Sequence, residues 1–207
     1  MDSNNILHQN QFGFIKGKST INAVNETISE ILHSYDRKKI TVTTFFDLSK
    51  AFDCVDHDIL TTDLRDYGVR GLALAWWKSY LLNRKQYVEL KYIENNVVRT
   101  TCSQQVNAKF GVPQGSVAGP LLYIIYINSI LKKCNDETKT LMYADDTTSI
   151  IADLSLEKIE IESQTINNTF YEALAAKNLV LNLEKTNYIV FNFQKPLSFD
   201  PYLCINV

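Results

Sequence analysis

Two β-rich runs, Thr138 to Tyr143 and Thr147 to Ile151, flank a short acidic stretch, Tyr143-Ala144-Asp145-Asp146. The pattern predicts a β-hairpin with two adjacent carboxylates at its turn, and the rest of the chain reads as arranged around it. Two carboxylates about 4 Å apart repel by roughly 4 kcal/mol at an effective dielectric near 20. A buried structural role for such a pair is costly, whereas a divalent cation between them removes the penalty. A solvated Asp-Asp turn satisfies the same local pattern, so the remaining residues must decide between the two.

The chain has 207 residues, 45% of them hydrophobic and 21% charged, with seven Gly and four Pro. That is enough for one compact domain, or a domain with an appendage. The net charge of −2 lacks the basic surplus usual in nucleic-acid binders. Positive charge is uneven, however: Arg65, Arg70, Lys78, Arg84, Lys85 and Lys91 share a stretch with few acids. It is either a local basic face or ordinary solvated surface. Cys54, Cys102, Cys134 and Cys204 are scattered without a C-x-x-C pair, which argues against a zinc site or a disulfide framework and for a reducing setting. Met1 to Asn5 lack the order of a signal peptide. The apolar run Val117 to Leu131 is broken by Gly119, Pro120 and Asn128, and is too short to span a bilayer. A soluble, intracellular protein is expected.

Residues 9–20 form a Gly-punctuated basic segment, with Ser19 as N-cap of a helix whose apolar stripe is Ile21, Val24, Ile28, Ile31 and Tyr35. A Gly/Lys loop opening a helix can hold phosphate, although a plain loop leading into a helix reads the same and the P-loop spacing is absent. Thr41 to Phe46 reads as a buried strand running into Asp47, with Phe52 and Asp53 soon after. Asp56 is placed to cap a helix containing Ile59, Leu60, Leu64 and Tyr67, which Gly68 stops. A second helix covers about Leu72 to Leu82, its Trp76, Trp77 and Tyr80 assigned to the core.

Gln86 to Ile93 and Val97 to Cys102 read as a second hairpin turning at Glu94-Asn95-Asn96. Gly111 to Pro120 holds three Gly and two Pro, a loop that lets backbone approach a ligand closely. Pro120 then suits the first turn of a helix to about Ile130. Ser155 opens a long helix with Ile159, Ile166, Phe170 and Leu174 on one face, Asn178 stops it, and Tyr188 to Phe193 forms a last strand. The order predicts an α+β fold, an antiparallel sheet with helices packed on one face.

If the strand ending at Asp47 neighbours the Asp145-Asp146 hairpin, three carboxylates meet at one end of the sheet. With no His or Cys nearby, they favour hard, oxygen-preferring ions such as Mg²⁺. Two such ions about 3.5–4 Å apart can activate an attacking hydroxyl and stabilise a leaving oxygen on phosphorus. The Pro113-Gln114-Gly115 loop suits a planar ligand, and Lys185 suits neutralisation or protonation of a departing phosphate.

Phe12-Gly-Phe, Phe46-Asp-Leu-Ser-Lys-Ala-Phe-Asp53, Gly111-Val-Pro-Gln-Gly-Ser116, Tyr143-Ala-Asp-Asp146 and Leu181-Asn-Leu-Glu-Lys-Thr186 occur in this order. Together they resemble the reverse transcriptase domain of non-LTR (LINE-type) retrotransposons of the kind common in insects, from about Gln9 to Phe193. The resemblance implies a right-hand polymerase palm plus partial fingers. Residues 9–40 and 60–112 would be fingers/palm elements, and 41–59 and 113–193 the palm core.

It further implies an RNA-directed DNA polymerase in which a primer 3′-hydroxyl attacks the α-phosphate of a dNTP, copying an RNA template onto a DNA primer. Asp47 and Asp145 would be the main ligands of two Mg²⁺, with Mn²⁺ as a substitute. Asp146 would support the site and the Leu48 backbone would help hold the nucleotide-bound ion. Phe52 would be the steric gate against a ribose 2′-hydroxyl. Pro113, Gln114 and Gly115 would contact nucleotide and template, and Lys185 the pyrophosphate. A nuclear or cytoplasmic ribonucleoprotein would be the setting.

Three departures stand out. Ile15 replaces the usual fingers Arg, leaving Lys16 or Lys18 to meet the triphosphate without a bidentate fork. Ala118 replaces a larger aliphatic residue, and Ser129 an Asp. Upstream fingers strands, thumb, endonuclease and RNA-binding tail are expected to be absent from this stretch. A truncated, inactive relic keeping the palm fold is therefore the alternative to an active polymerase. A Mg²⁺-dependent phosphohydrolase would use the same carboxylates, but leaves Phe52 and the Pro-Gln-Gly loop without a task.

Overall fold

A computed structural model describes residues 6–134 and 138–192. The expectations for Met1 to Asn5, Phe193 and Cys204 lie outside the described residues. In chain order the elements are α1 (Thr20–Asp36), β1 (Ile40–Phe46), α2 (His57–Asp66), α3 (Gly71–Leu81), β2 (Lys85–Gln86), β3 (Glu89–Glu94) and β4 (Val97–Cys102). Then follow β5 (Val106–Asn107), α4 (Ala118–Leu131), β6 (Lys139–Tyr143), β7 (Asp146–Asp153), α5 (Leu156–Ala175) and β8 (Asn187–Phe191).

The caps read from sequence form where their chemistry predicts. Ser19 and Asn22 close a reciprocal capping box on α1. Asp56 Oδ1 accepts the N–H groups of Asp58 and Ile59 at the start of α2. Asn178 takes a left-handed φ of 54° just past α5. Ser155 stands at the N-cap of α5 without a side-chain bond there; its own N–H is taken by Asp153 Oδ1 at 2.9 Å. That hydrogen bond holds the Asp153 carboxyl below its ordinary value.

The central sheet is four-stranded and antiparallel, in the order β6-β7-β1-β8. Alternation along β1 sends Val42 and Phe46 to the face covered by α5. There Val42 packs with Ile151, Ile159 and Ile166, and the Phe46 and Phe170 rings lie 4.5 Å apart. The apolar α4 lies beneath, with Leu122, Tyr123, Tyr126 and Ile127 fully buried.

The expected single helical face is corrected, because α1 lies on the other side of the sheet. Phe12, Leu141 and Ile150 form a small cluster there with Ala23 of α1, and Lys139 Nζ pairs with Glu26 at 2.7 Å. The apolar stripe of α1 is corrected too: Ile21, Val24, Ile28 and Tyr35 are exposed, and Ser34 is the helix's buried residue. Val24 and Ile28 instead rim an apolar groove of about 370 Å³ with Phe45, Leu141 and Tyr143.

The aromatic group on α3 divides between core and solvent. Trp77 and Tyr80 pack against the main core, while Trp76 is half-exposed and stacks on Tyr80. The β3–β4 hairpin forms as expected, although Lys85–Gln86 pairs separately with Val106–Asn107. All residues of this hairpin are exposed.

Candidate active site

Antiparallel register brings the acids together. Phe46, the last residue of β1, pairs with Thr147, and Asp146 pairs with Tyr143 across the hairpin turn. Continuing that register by one residue sets Asp47 opposite Asp146. The turn between Tyr143 and Asp146 holds Ala144 at φ 57°, left-handed backbone that costs an alanine of order 1 kcal/mol or more. Such strain persists where surrounding structure enforces it, and here the enforcing segment is Asn10 to Gly13.

That segment runs beside β6. Phe12 N–H donates to the Met142 carbonyl at 2.7 Å, and Met142 N–H to the Asn10 carbonyl at 2.9 Å. The fully buried Gln11 accepts through Oε1 from Gly13 N–H at 2.8 Å and Ala144 N–H at 3.2 Å. Only glycine fits at 13, since a Cβ there would stand 2.2 Å from the Ala144 nitrogen.

Asp47 is fixed from the other side by the Leu181 to Thr186 segment. Leu48 bridges Leu181, flanked by Asn182 N–H to the Asp47 carbonyl and Ser49 N–H to the Val180 carbonyl, both at 2.8 Å. Those bonds leave the Leu48 carbonyl outside the pair. Thr186 Oγ1 accepts the Asp47 N–H at 3.3 Å and donates to the Asn182 carbonyl at 2.8 Å. Lys185 Nζ lies 3.9 Å from Asp47 Oδ2, a loose and mostly exposed pair.

The carboxylates feel one another. Burial first, then the charges of Asp145 and Asp47, hold the Asp146 carboxyl above its ordinary value. The Tyr123 hydroxyl is pushed upward by burial and then by Asp145. Among the described residues, no three His, Cys, Asp or Glu side chains converge closely enough to close a metal cage. Asp47, Asp145 and Asp146 are near enough for the first two to act electrostatically on the third, without closing such a cage.

Beside the acids, Phe52 stacks on Tyr123 with ring centroids 4.1 Å apart, while Phe14 and Phe52 meet in a T-shaped pair at 6.3 Å. Phe14 holds a left-handed φ of 56° and is half-exposed. Gln114 Nε2 donates to Asp53 Oδ1 at 2.8 Å. The loop is shaped by Ser116, whose Oγ donates to the Pro113 carbonyl at 2.7 Å and accepts Gly119 N–H at 2.9 Å. Gly115 has φ 78°; at Gly111, φ 86°, a Cβ would stand 3.1 Å from the Asp53 backbone. Pro113 and Gln114 line a polar cleft of about 530 Å³ that also contains Lys50, Arg84 and Lys85.

The two candidate lysines differ. Lys16 is exposed. Lys18 Nζ donates to the carbonyls of Gln9 and Gln11 and lies 4.6 Å from the Phe12 ring centre. Its ammonium is committed to holding the loop, and burial lowers its pKa. The sequence reading did not single out Gln11, Tyr123, Asn182 or Thr186 for these contacts. Gln11 lies in the Gly-punctuated 9–20 segment, and Asn182 and Thr186 lie within Leu181 to Thr186, but nothing local signals that the Gln11 amide reaches residue 144.

A strained two-acid turn, held against a third acid and bordered by a stacked aromatic and a Pro-Gln-Gly loop, is an arrangement of the polymerase class. Comparison with known proteins agrees. Residues 1–200 match the family described as reverse transcriptase (RNA-dependent DNA polymerase). The chain is 35% identical over 158 residues to a probable RNA-directed DNA polymerase from transposon BS of Drosophila melanogaster, covering 70% of this chain and 16% of that protein. It is 27% identical over 198 residues to the corresponding X-element protein of the same fly, covering 94% and 21%.

Among solved structures, apo telomerase from Candida tropicalis, truncated from its C-terminal domain, superposes with a TM-score of 0.61 at 14% identity. That match covers 91% of this chain and 38% of that one. Telomerase from the same yeast with the TWJ fragment of telomeric RNA gives 0.57 at 14% identity, covering 93% and 32%. The chain belongs to the reverse transcriptase (RNA-dependent DNA polymerase) family, as a domain of the non-LTR, LINE type. It spans 16% and 21% of the two fly proteins' lengths. Among the described residues no helix is long and apolar enough to cross a membrane.

Proposed function

We propose that this chain carries the nucleotidyl-transfer site of a retrotransposon's RNA-directed DNA polymerase, with residues 41–59 and 113–193 as palm core and 9–40 and 60–112 as fingers/palm elements. The observation that carries the reading is the β1–β7 register, which pairs Phe46 with Thr147 and, carried one residue further, brings Asp47 level with Asp146. The Asp146 carboxyl, raised by burial first and then by the charges of Asp145 and Asp47, supports it in its second part, since a divalent cation relieves mutual repulsion among carboxylates.

Mg²⁺ would bind here through one or two carboxylates and take its further oxygens from substrate phosphates and water. Asp47, Asp145 and the Leu48 carbonyl would hold the ions, with Asp146 supporting them. When bound, the ions would activate the primer hydroxyl and stabilise charge on the departing pyrophosphate.

The chain's own groups do the positioning. Phe52, stacked on Tyr123, crowds the place of a ribose 2′-hydroxyl. Gln114, with Pro113 and Gly115, meets the base of the incoming dNTP and the RNA template. Lys185, loosely held by Asp47, is free to swing to the leaving phosphates, and exposed Lys16 is the remaining fingers cation. Most of the rate enhancement would come from this positioning and from charge stabilisation.

The test is extension of a DNA primer on an RNA template, alongside calorimetric titration with Mn²⁺. Template-dependent extension and Mn²⁺ binding, both lost in Asp145→Ala, are expected. Equal Mn²⁺ affinity in wild type and Asp145→Ala would overturn the reading.

A further inference from the structure

Gln11 is fully buried, yet its amide carbonyl oxygen serves no regular element. It bridges two backbone N–H groups from distant parts of the chain, Gly13 and Ala144. The second of these belongs to the strained residue that immediately precedes Asp145. Three further features converge on the same place. The backbone bonds of Asn10 and Phe12 to Met142 lock the segment to β6. Gly13 lies against the Tyr143–Ala144 peptide at a separation that excludes any side chain. Lys18 reaches back to the carbonyls of Gln9 and Gln11 and pins the loop from outside.

A left-handed alanine carries a backbone cost in this turn that a glycine would not, so contacts from outside the hairpin help to hold it. The Ala144 N–H would otherwise be a buried donor lacking a partner, at a cost of about 1–3 kcal/mol. We infer that Gln11 is a positioning residue: its amide oxygen holds the Asp145–Asp146 turn in the conformation that presents both carboxylates toward Asp47. Resting on the polymerase reading, this assigns the Gln9 to Lys18 loop a task at the catalytic acids, beyond phosphate contact or a plain entry into α1. The same loop carries Phe14 onto the edge of Phe52. One segment thus braces both the acid turn and the aromatic that would gate the sugar.

The test uses the full chain with two readouts. Backbone amide exchange followed by NMR reports the clamp directly and needs no metal or substrate; titration with Mn²⁺ reports its consequence at the acids. Gln11→Met keeps the side chain's length and removes the acceptor. Gln11→Asn keeps the amide but is one methylene short, and serves if the first variant fails to fold. Exchange at Ala144 should speed up about tenfold, the loss of one hydrogen bond, while the amides of Thr43 and Ile150 in the sheet stay protected. Mn²⁺ affinity should fall about tenfold, as for other residues that orient metal ligands. A merely structural role would lower Tm without moving Mn²⁺ affinity at temperatures where the variant is folded.

Unchanged exchange at Ala144 overturns the proposal, and so does unchanged Mn²⁺ affinity in a variant that has lost that protection. A wild-type chain that takes up no Mn²⁺ counts against the polymerase reading, and Ala144 exchange then still decides whether Gln11 holds the turn.

Discussion

Asn182 donates its backbone N–H to the carbonyl of Asp47 at 2.8 Å, and that bond ties the first acid to a segment far along the chain. Thr186 completes the tie by accepting the Asp47 N–H. The Leu181 to Thr186 segment therefore sets the main-chain position of Asp47, in addition to bringing Lys185 near it.

Thr186→Val keeps the shape and removes the acceptor for Asp47 N–H. Stability should drop by about 1 kcal/mol, measured by urea unfolding. Mn²⁺ affinity should fall with it, because the backbone that carries Asp47 is loosened.

Gly13→Ala tests the contact with the acid turn. A Cβ 2.2 Å from the Ala144 nitrogen meets backbone on its far side, so relief requires the turn or the loop to move. We expect destabilisation of about 2–3 kcal/mol, in the range of other overpacked sites, read from the urea midpoint. Gly17→Ala is the control for a glycine in the same loop, as its Cβ would meet nothing within 4 Å; its left-handed φ of 82° leaves only the smaller backbone cost.

The pH dependence follows from Asp146. Its carboxyl lies above the ordinary value because of burial, then Asp145 and Asp47. The folded chain binds this proton more tightly than the unfolded chain does. The group's contribution to stability is thus full below the unfolded value and lost as pH rises through the folded one. Asp146→Asn should remove that decline, raising Tm at pH 7 by on the order of 1 °C for a group this exposed. Calorimetric scans across acid to neutral pH should show the two proteins converging at low pH.

Lys177 and Asp63 form a largely buried ion pair at 2.6 Å, joining the end of α5 to α2 beneath the site. Removing one partner strands the other. Lys177→Met should cost about 3–5 kcal/mol, and pairing it with Asp63→Leu should recover much of the loss. Denaturant titration of the two singles and the double variant gives the coupling directly.

Phe52→Ala should relax discrimination between deoxy- and ribonucleotides by about tenfold or more, measured as the ratio of kcat/KM values in primer extension. Tyr123→Phe is the informative companion. The Tyr123 hydroxyl has no hydrogen-bond partner among the described residues, so its removal should leave the Phe52 stack and the discrimination intact.

The acid hairpin, the strand running into Asp47, the caps at Ser19 and Asp56 and the stop at Asn178 were all legible in the sequence. Each depends on residues close along the chain, where β-branched alternation, a capping oxygen or an Asn tolerant of left-handed backbone acts within a few positions. The face that α1 buries was not legible. Its apolar stripe predicts burial of Ile21, Val24 and Ile28, yet the helix packs on sheet residues through Ala23, buries Ser34 and leaves those three exposed. Periodicity identifies a helical face, but the shape of the surface it meets decides how close the helix can come.

The same division holds at the site. The amino-acid sequence by itself determined which acids are present and that two of them stand side by side at the tip of a hairpin; of that pair the structure puts Asp145 in the turn and Asp146 at the start of β7. Only the tertiary structure decided that Asp47 faces Asp146, that Gln11 and Gly13 hold Ala144, and that Lys18 is spent on its own loop. Local rules act over a few residues, whereas strand register, a buried amide's choice of partner and the fit of a glycine against a peptide are set by chain segments that meet only when the core closes.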